Sequence, residues 1–260
     1  MRFRTPFYKL YESRIIRHID PESLPVHIGV ILDGHRRFAK AEGFDDYSRS
    51  YEVGMSKLKD FLRWSKQIHI PAVTVWVLST DNLNRPLSEL TPYFEVLENL
   101  FQDLPVLGKE LNFALQITGS MDMLPVELMT AAKTALAESE PAEESAAWRV
   151  NIALCYGGRQ EIVDSCRSLV DELALLGIDP AEMSHHIDEA ALQRHLYLSD
   201  LPDLDLVIRT SGEARLSGFL LWQSVYAECA FVDPYWPAFR RVDFLRSLRD
   251  FAKRERRFGR

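Results

Sequence analysis

Apolar residues along the chain follow two alternating patterns. Short runs rich in β-branched and aromatic residues, suited to buried strands, occupy Val26 to Leu32, Ala72 to Leu78, Phe113 to Thr118, Arg149 to Cys155 and Asp205 to Ile208. Between them, apolar residues recur at three- to five-residue spacing, the mark of one helical face. That spacing predicts helices over Tyr51 to Ile68, Val126 to Ala137, about 160–176, about 188–196 and Val242 to Arg254. A further helix carries the stripe Phe94, Leu97, Leu100, Phe101 and Leu104; Thr91 caps it, Pro92 opens it and Pro105 closes it. Its apolar side packs in the core or lines a tunnel for an apolar substrate. Residues 1–23 form an N-terminal amphipathic segment, with Phe7, Leu10, Tyr11, Ile15 and Ile16 at helical spacing on a basic background. It docks on the domain or on a bilayer surface. Pro21 and Pro25 then break the chain. Ala39 to Ser50 and Glu138 to Ser145 read as polar loops, the first a candidate mobile cover for a site. Strands alternating with helices predict a single α/β domain over 24–260, with a mainly parallel central sheet covered by helices on both faces.

The polar residues gather where the strands stop. Val26 to Leu32 ends in Asp33-Gly34-His35-Arg36-Arg37, Ala72 to Leu78 in Ser79-Thr80-Asp81-Asn82 with Arg85 close behind, Arg149 to Cys155 in Tyr156-Gly157-Gly158-Arg159, and Asp205 to Ile208 in Arg209 with Arg215 and Ser217 following. An open parallel sheet binds its ligands at these carboxyl ends. Guanidinium forks match phosphate oxygens, and several around one pocket imply more than one phosphate group. Neither GxxxxGK[ST] nor GxGxxG is present, so a diphosphate that is not a nucleotide fits better. Asp33 is the natural ligand for a hard cation such as Mg2+, and Glu228 is the candidate second carboxylate.

Composition narrows the choice further. The 260 residues are 47% hydrophobic and 27% charged, the balance of a globular protein with material for a substantial core. No apolar run reaches the ~18 residues of a membrane span, and the N-terminus lacks the apolar core of a signal peptide, so a cytoplasmic location is expected. Cys155, Cys166 and Cys229 show no CxxC spacing, which argues against a zinc site or a disulfide framework. A formal net charge of -7 argues against a nucleic-acid partner. Positive charge is nevertheless concentrated at both ends: nine Arg/Lys against three acids from Arg240 to Arg260, and five against one in the first eighteen residues. These are solvated helix faces or a surface for anionic ligands or a membrane.

HIGVILDGHRRFAK, LSTDNLNRP, YGGRQEIV and VIRTSGEARLSGFLLWQSVYAE together resemble, in order and spacing, the signature regions of cis-prenyltransferases, the undecaprenyl diphosphate synthase family. The resemblance covers about residues 24–259 and is strongest to the short-chain Z-prenyl diphosphate synthases of actinobacteria. It implies a Mg2+-dependent enzyme that joins an allylic diphosphate (dimethylallyl, geranyl or farnesyl) to isopentenyl diphosphate and releases diphosphate. Position by position, it implies that Asp33 holds magnesium on the allylic diphosphate while Gly34, Arg36 and Arg37 cradle that group, with Phe38 in the same motif. Arg209, Arg215 and Ser217 bind isopentenyl diphosphate, Glu228 helps with the metal, and Ser79, Asn82 and Arg85 position the reacting ends. Arg257-Phe258-Gly259 matches a C-terminal RxG that reaches the partner's site in homodimers.

The chain departs from the family pattern at several positions. His35, Phe38 and Asp81 stand where Asn, Trp and Glu are usual, Leu83 for Trp, Tyr51 for His and Ala214 for His or Gln. His35 is a tolerated isostere, or a hydrogen-bond donor or proton carrier beside the diphosphate that shapes prenyl-acceptor geometry. Two rival readings follow: irregular head-to-middle coupling of allylic units to a lavandulyl-type product, and a non-catalytic accessory subunit. The second expects the metal aspartate or several arginines to be missing, and all are present.

Overall fold

Strand β1 (His27–Ile31) lies at the centre of a six-stranded parallel sheet ordered β3-β4-β2-β1-β5-β6. The computed structural model describes residues 5–139 and 148–254. The other strands are β2 (Ala72–Trp76), β3 (Phe113–Thr118), β4 (Trp148–Ala153), β5 (Leu206–Arg209) and β6 (Glu228–Phe231). Every residue of β1 and β2 is buried, as expected for central strands covered on both faces. Successive side chains face opposite layers. Ile28 and Val30 join Val73, Val75, Val150, Ile152, Leu206 and Ile208 in the larger core, while Ile31, Trp76, Ala153 and Val207 enter a smaller one with Phe219 and Leu220. Gly29 belongs to that second face because a Cβ there would meet the Phe219 ring at 2.7 Å.

The helices are α1 (Thr5–Arg17), α2 (His35–Glu42), α3 (Ser48–Gln67), α4 (Leu87–Leu111), α5 (Val126–Glu138), α6 (Gly158–Leu175), α7 (Glu189–Arg194) and α8 (Arg241–Ala252). Helix α1 packs on α8: Ile15 is buried, Glu12 pairs with Arg241 at 3.7 Å, and the Arg246 guanidinium lies 5.4 Å from the centre of the Tyr11 ring. No helix among the described residues is long and apolar enough to cross a membrane.

Two expectations are corrected, and one strand was not expected at all. The polar stretch Ala39 to Ser50 is not one loop, because α2 runs to Glu42, bracketed by Gly34 and Gly43 at φ 107° and 70°. Pro92 and Pro105 lie inside α4, which starts at Leu87 and continues to Leu111. An interior proline costs about 3 kcal/mol or more, yet Leu97, Leu100, Phe101 and Leu104, each at 2% exposure or less, contribute roughly 1.5–3 kcal/mol apiece on burial and outweigh it. Phe94 and this stripe therefore pack in the core between α3, α5 and the sheet. Strand β6 carries no alternating pattern and its side chains are half-buried or exposed, so it left no mark in the hydrophobic pattern.

Candidate active site

At the carboxyl end of β1 the chain turns sharply, and Thr210, just after β5, fixes the turn. Its Oγ1 accepts from the Asp33 N–H at 3.0 Å and donates to the Asp33 carbonyl at 2.7 Å. The Trp236 N–H reaches the same carbonyl at 2.9 Å. Gly34 is required at the next position: its φ is 107°, and a Cβ would meet the Tyr235 ring at 2.8 Å. This turn starts α2 with no side-chain cap, so the N–H groups of its first turn are not capped from within. Such a terminus favours anions.

The Asp33 carboxylate accepts from Arg209 Nη2 at 2.7 Å and faces Arg37 Nη2 at 3.5 Å. Burial would push its pKa up, but the hydrogen bond and charge of Arg209, with Arg37 and Ser211, hold it below the usual carboxylate range. Arg209 is itself buried and donates to Ser217 Oγ at 2.9 Å. Arg37 reaches Ser211 Oγ at 2.6 Å and Glu213 at 3.0 Å, and Glu213 also pairs with Arg215. On the other side of the turn, Glu89 accepts from Arg85 at 3.0 Å and lies 3.6 Å from Arg36. Ser79 and Asn82 cap each other's backbone N–H groups at 3.1 and 3.2 Å, which fixes the loop after β2.

Two cavities of about 390 and 320 Å³ open at this edge of the sheet. They share Leu32, Asp33, Val77, Asn82 and Arg85. The first is lined beyond these by Gly34, His35, Arg36, Arg37, Lys40, Tyr51 and Tyr93, the second by Trp76, Ser79, Asp81, Arg209, Arg215 and Ser217. Six cationic side chains (Arg36, Arg37, Lys40, Arg85, Arg209, Arg215) thus face four carboxylates (Asp33, Asp81, Glu89, Glu213), an excess of two positive charges for an anionic ligand to neutralise.

Asp33, Gly34, Arg36, Arg37, Ser79, Asn82, Arg85, Arg209, Arg215 and Ser217 therefore converge, and His35 lines the first cavity beside them, whereas Glu228, Phe38, Tyr156 and Arg159 do not join them. Glu228 pairs across the sheet with Leu206, the first residue of β5, so it sits three strand residues, roughly 10 Å, before the level of Arg209. Its carboxylate is bound by Arg254, and it is not a ligand beside Asp33 of its own chain. Phe38 lines neither cavity and packs edge-on against Phe44 at 5.9 Å. Tyr156 is fully buried with its hydroxyl on Glu161 at 2.5 Å, and Arg159 is exposed outside both cavities. His35 lines the first cavity, but its ring packs toward α3, 5.3 Å from the Tyr51 ring, where it fills the space a Cβ on Gly54 would take and binds the Ser50 carbonyl through Nδ1 at 3.1 Å. Burial pushes its pKa down to about 4, so it is neutral near pH 7. Arg257 and Gly259 lie outside the described residues.

Sequence reasoning missed Glu89, Thr210, Ser211, Glu213 and Lys40. Glu89 had a partial signal, since it follows Arg85 by four residues, although Arg85 precedes the start of α4 at Leu87 and reaches it from the preceding loop.

The undecaprenyl diphosphate synthase (Prenyltransf) model matches residues 31–259. The chain belongs to that family. Members of known name include the (2Z,6E)-farnesyl diphosphate synthase of Thermobifida fusca, 43% identical over 98% of each chain, and the tritrans,polycis-undecaprenyl-diphosphate synthase of Methanopyrus kandleri, 42% identical over 98% of this chain and 92% of that one. Among solved structures, the lavandulyl diphosphate synthase of Lavandula x intermedia, in complex with dimethylallyl diphosphate, superposes with a TM-score of 0.83 at 30% identity, covering 92% of this chain and all of that one. The chain is thus a prenyltransferase on the fold of its cis-prenyltransferase relatives.

Proposed function

We propose that this enzyme joins a short allylic diphosphate to isopentenyl diphosphate and releases diphosphate, giving a short-chain Z-prenyl diphosphate. The observation that carries the reading is the pair of cationic cavities meeting at Asp33. Two such cavities suit two diphosphates whose reactive ends must lie side by side.

In this reading Arg36, Arg37 and the N–H groups opening α2 hold the allylic diphosphate, and Arg209, Arg215 and Ser217 hold that of isopentenyl diphosphate. Ser79, Asn82 and Arg85 orient the reacting ends between them. The donor set fits magnesium: among the described residues no three His, Cys, Asp or Glu side chains cluster, and Asp33 is the one carboxylate among them that lines both cavities. Magnesium takes one or two carboxylates and completes its shell with phosphate oxygens, so Asp33 would hold it with the substrate. Bound there, it supplies neutralisation of the charge that builds on the leaving diphosphate. The arginines supply the same stabilisation from fixed positions as the allylic C–O bond breaks. The alkene of isopentenyl diphosphate then forms the new C–C bond, and loss of a proton from the neighbouring carbon completes the extension. Leu32, Val77 and Tyr93 shield the allylic cation from water.

A homodimer is the expected assembly, with the C-terminal Arg257-Phe258-Gly259 of one chain serving the other. Exposed Val225 and Tyr226, just before the edge strand β6, and Phe231, its last residue, supply an apolar face for that assembly. Diphosphate release tests the reading, with purified protein, magnesium and dimethylallyl, geranyl or farnesyl diphosphate, each with and without isopentenyl diphosphate. Release should require both substrates and magnesium. Release without isopentenyl diphosphate would mean irregular coupling instead, and no release with any pair would overturn the assignment.

A further inference from the structure

The strand register sets a straight row of side chains along the second cavity. Arg209 pairs with Ile31, Ile31 with Trp76, and Trp76 with Ala153. Residues paired in a parallel sheet face the same side, so Arg209, Ile31 and Trp76 stand in line on one face, and all three line the cavity. Neighbouring strands lie about 4.8 Å apart, which puts Trp76 roughly 10 Å from Arg209 at the level of the backbone. Arg209 and its partner Ser217 mark one end of the row, and the indole marks the other. The indole is backed so that it does not retreat. Its ring stacks on Phe219 at 5.2 Å and 16°, and Tyr156 meets it edge-on at 6.2 Å. Both supports are fully buried: Phe219 fills the space down to the backbone of Gly29, and the Tyr156 hydroxyl is tied to Glu161. Among the described residues Trp76 Nε1 is buried with no hydrogen-bond partner, so packing alone holds the ring.

On the functional reading above, we infer that Trp76 closes the acceptor pocket and limits it to the five-carbon isopentenyl unit. With its diphosphate on Arg209, Arg215 and Ser217, the acceptor lies across Ile31 with its branch methyl against the indole. Its alkene carbon is then left beside Leu32 and Val77, which both cavities share and where the allylic carbon arrives. A branch one carbon longer must displace the Trp76 ring, and the stacked Phe219 leaves that ring no room. The same wall keeps the ten-carbon chain of geranyl diphosphate out of the second cavity, so the two diphosphate sites are not interchangeable. Size agrees with this: about 320 Å³ is near the low end of the roughly 300–1,000 Å³ of small-molecule sites, and a diphosphate must fit there too. Phe219 follows Ser217 by two residues, so the loop that supplies a diphosphate contact also supplies the support of the wall. The distance between the two is thereby fixed.

The test compares two acceptors, isopentenyl diphosphate and the homologue that carries an ethyl group in place of the branch methyl. Geranyl diphosphate and magnesium are held saturating, for wild type, Trp76→Leu and Trp76→Ala. Wild type should favour isopentenyl diphosphate by about 10–200-fold in kcat/KM, the range that one methylene commands in an apolar pocket. Both variants should bring that preference below about threefold, chiefly by raising kcat/KM for the homologue, while the KM for geranyl diphosphate also stays within about threefold of wild type. A merely structural loss would slow both acceptors alike and leave their ratio unmoved. Circular dichroism and the melting temperature verify folding. Trp76→Leu keeps an apolar side chain against Phe219 and strands no hydrogen-bond partner, so it serves if the alanine variant unfolds. Folded variants that keep the wild-type ratio, or a wild type that takes both acceptors equally, would overturn the inference while leaving the functional reading intact. Wild type that forms no product from isopentenyl diphosphate would overturn both.

Discussion

At the scale of single residues, the backbone of Asp33 is fixed by Thr210 and Trp236 and its carboxylate by Arg209 and Arg37. Thr210 pairs with both the N–H and the C=O of Asp33, so Thr210→Val should leave that N–H unpaired, leave the carbonyl to Trp236 alone and misplace the carboxylate. We expect kcat to fall about tenfold with little change in the fold, measured by steady-state kinetics beside circular dichroism. Asp33→Asn removes the charge itself and should cost ~10²–10³ in kcat, the size of effect seen when one fixed electrostatic partner of a transition state is lost. His27 belongs to a different part of the molecule, buried between the Pro202 carbonyl and Thr74 Oγ1 at 2.7 and 2.8 Å. Burial pushes its pKa down to about 4, against an unfolded value near 6.5. A lowered histidine pKa means that the unfolded chain binds the proton first. Stability is therefore undiminished above about pH 6.5 and falls as pH drops from there toward 4, with a slope of at most about 1.4 kcal/mol per pH unit from this one proton. His27→Gln should flatten that limb by about one proton in denaturant titrations run between pH 4 and 7; an unchanged slope would assign the acid sensitivity elsewhere.

At the scale of elements, legibility followed how much of each segment is buried. Strand β3 occupies the predicted Phe113 to Thr118, and the cores of β1, β2, β4 and β5 fall within a residue or two of their apolar runs. In helix α4 the local preference of Pro92 and Pro105 marks both as boundaries, yet the helix runs past each of them. Tertiary burial of Leu97, Phe101 and Leu104 outweighed a local rule. Leu97→Ala should accordingly cost about 2–5 kcal/mol in urea unfolding. Helix α2 escaped notice for the opposite reason: it is eight residues long and mostly polar, and it forms because Gly34 and Gly43 set its ends. The arginines and Asp33 were legible, since charge that follows an apolar run has few structural uses. Glu89, buried against Tyr51 from another helix, depends on α3 and α4 being packed together, and one-dimensional spacing does not reveal that. Glu228 misled in the same way, because only the parallel register of β5 and β6 shows which end of the sheet it occupies.

At the scale of the whole molecule, a net charge of -7 coexists with a local excess of positive charge at the carboxyl edge of the sheet. The division of that charge between two cavities should separate the substrates kinetically. Arg36→Ala should raise the KM for the allylic diphosphate, and Arg215→Ala that for isopentenyl diphosphate, each about tenfold or more and each with a smaller effect on the other substrate. Equal effects on both would mean one shared binding site. The central claim, that the two cavities place one allylic and one isopentenyl diphosphate for a single Z-selective addition, is tested most directly by the structure of the product. Geranyl diphosphate and isopentenyl diphosphate labelled with ¹³C are turned over with magnesium, and the dephosphorylated product is examined by mass spectrometry and NMR. A linear fifteen-carbon alcohol with one new Z double bond, labelled only in its terminal unit, is the expected result; an E double bond, a branched skeleton or no new carbon–carbon bond would contradict the account.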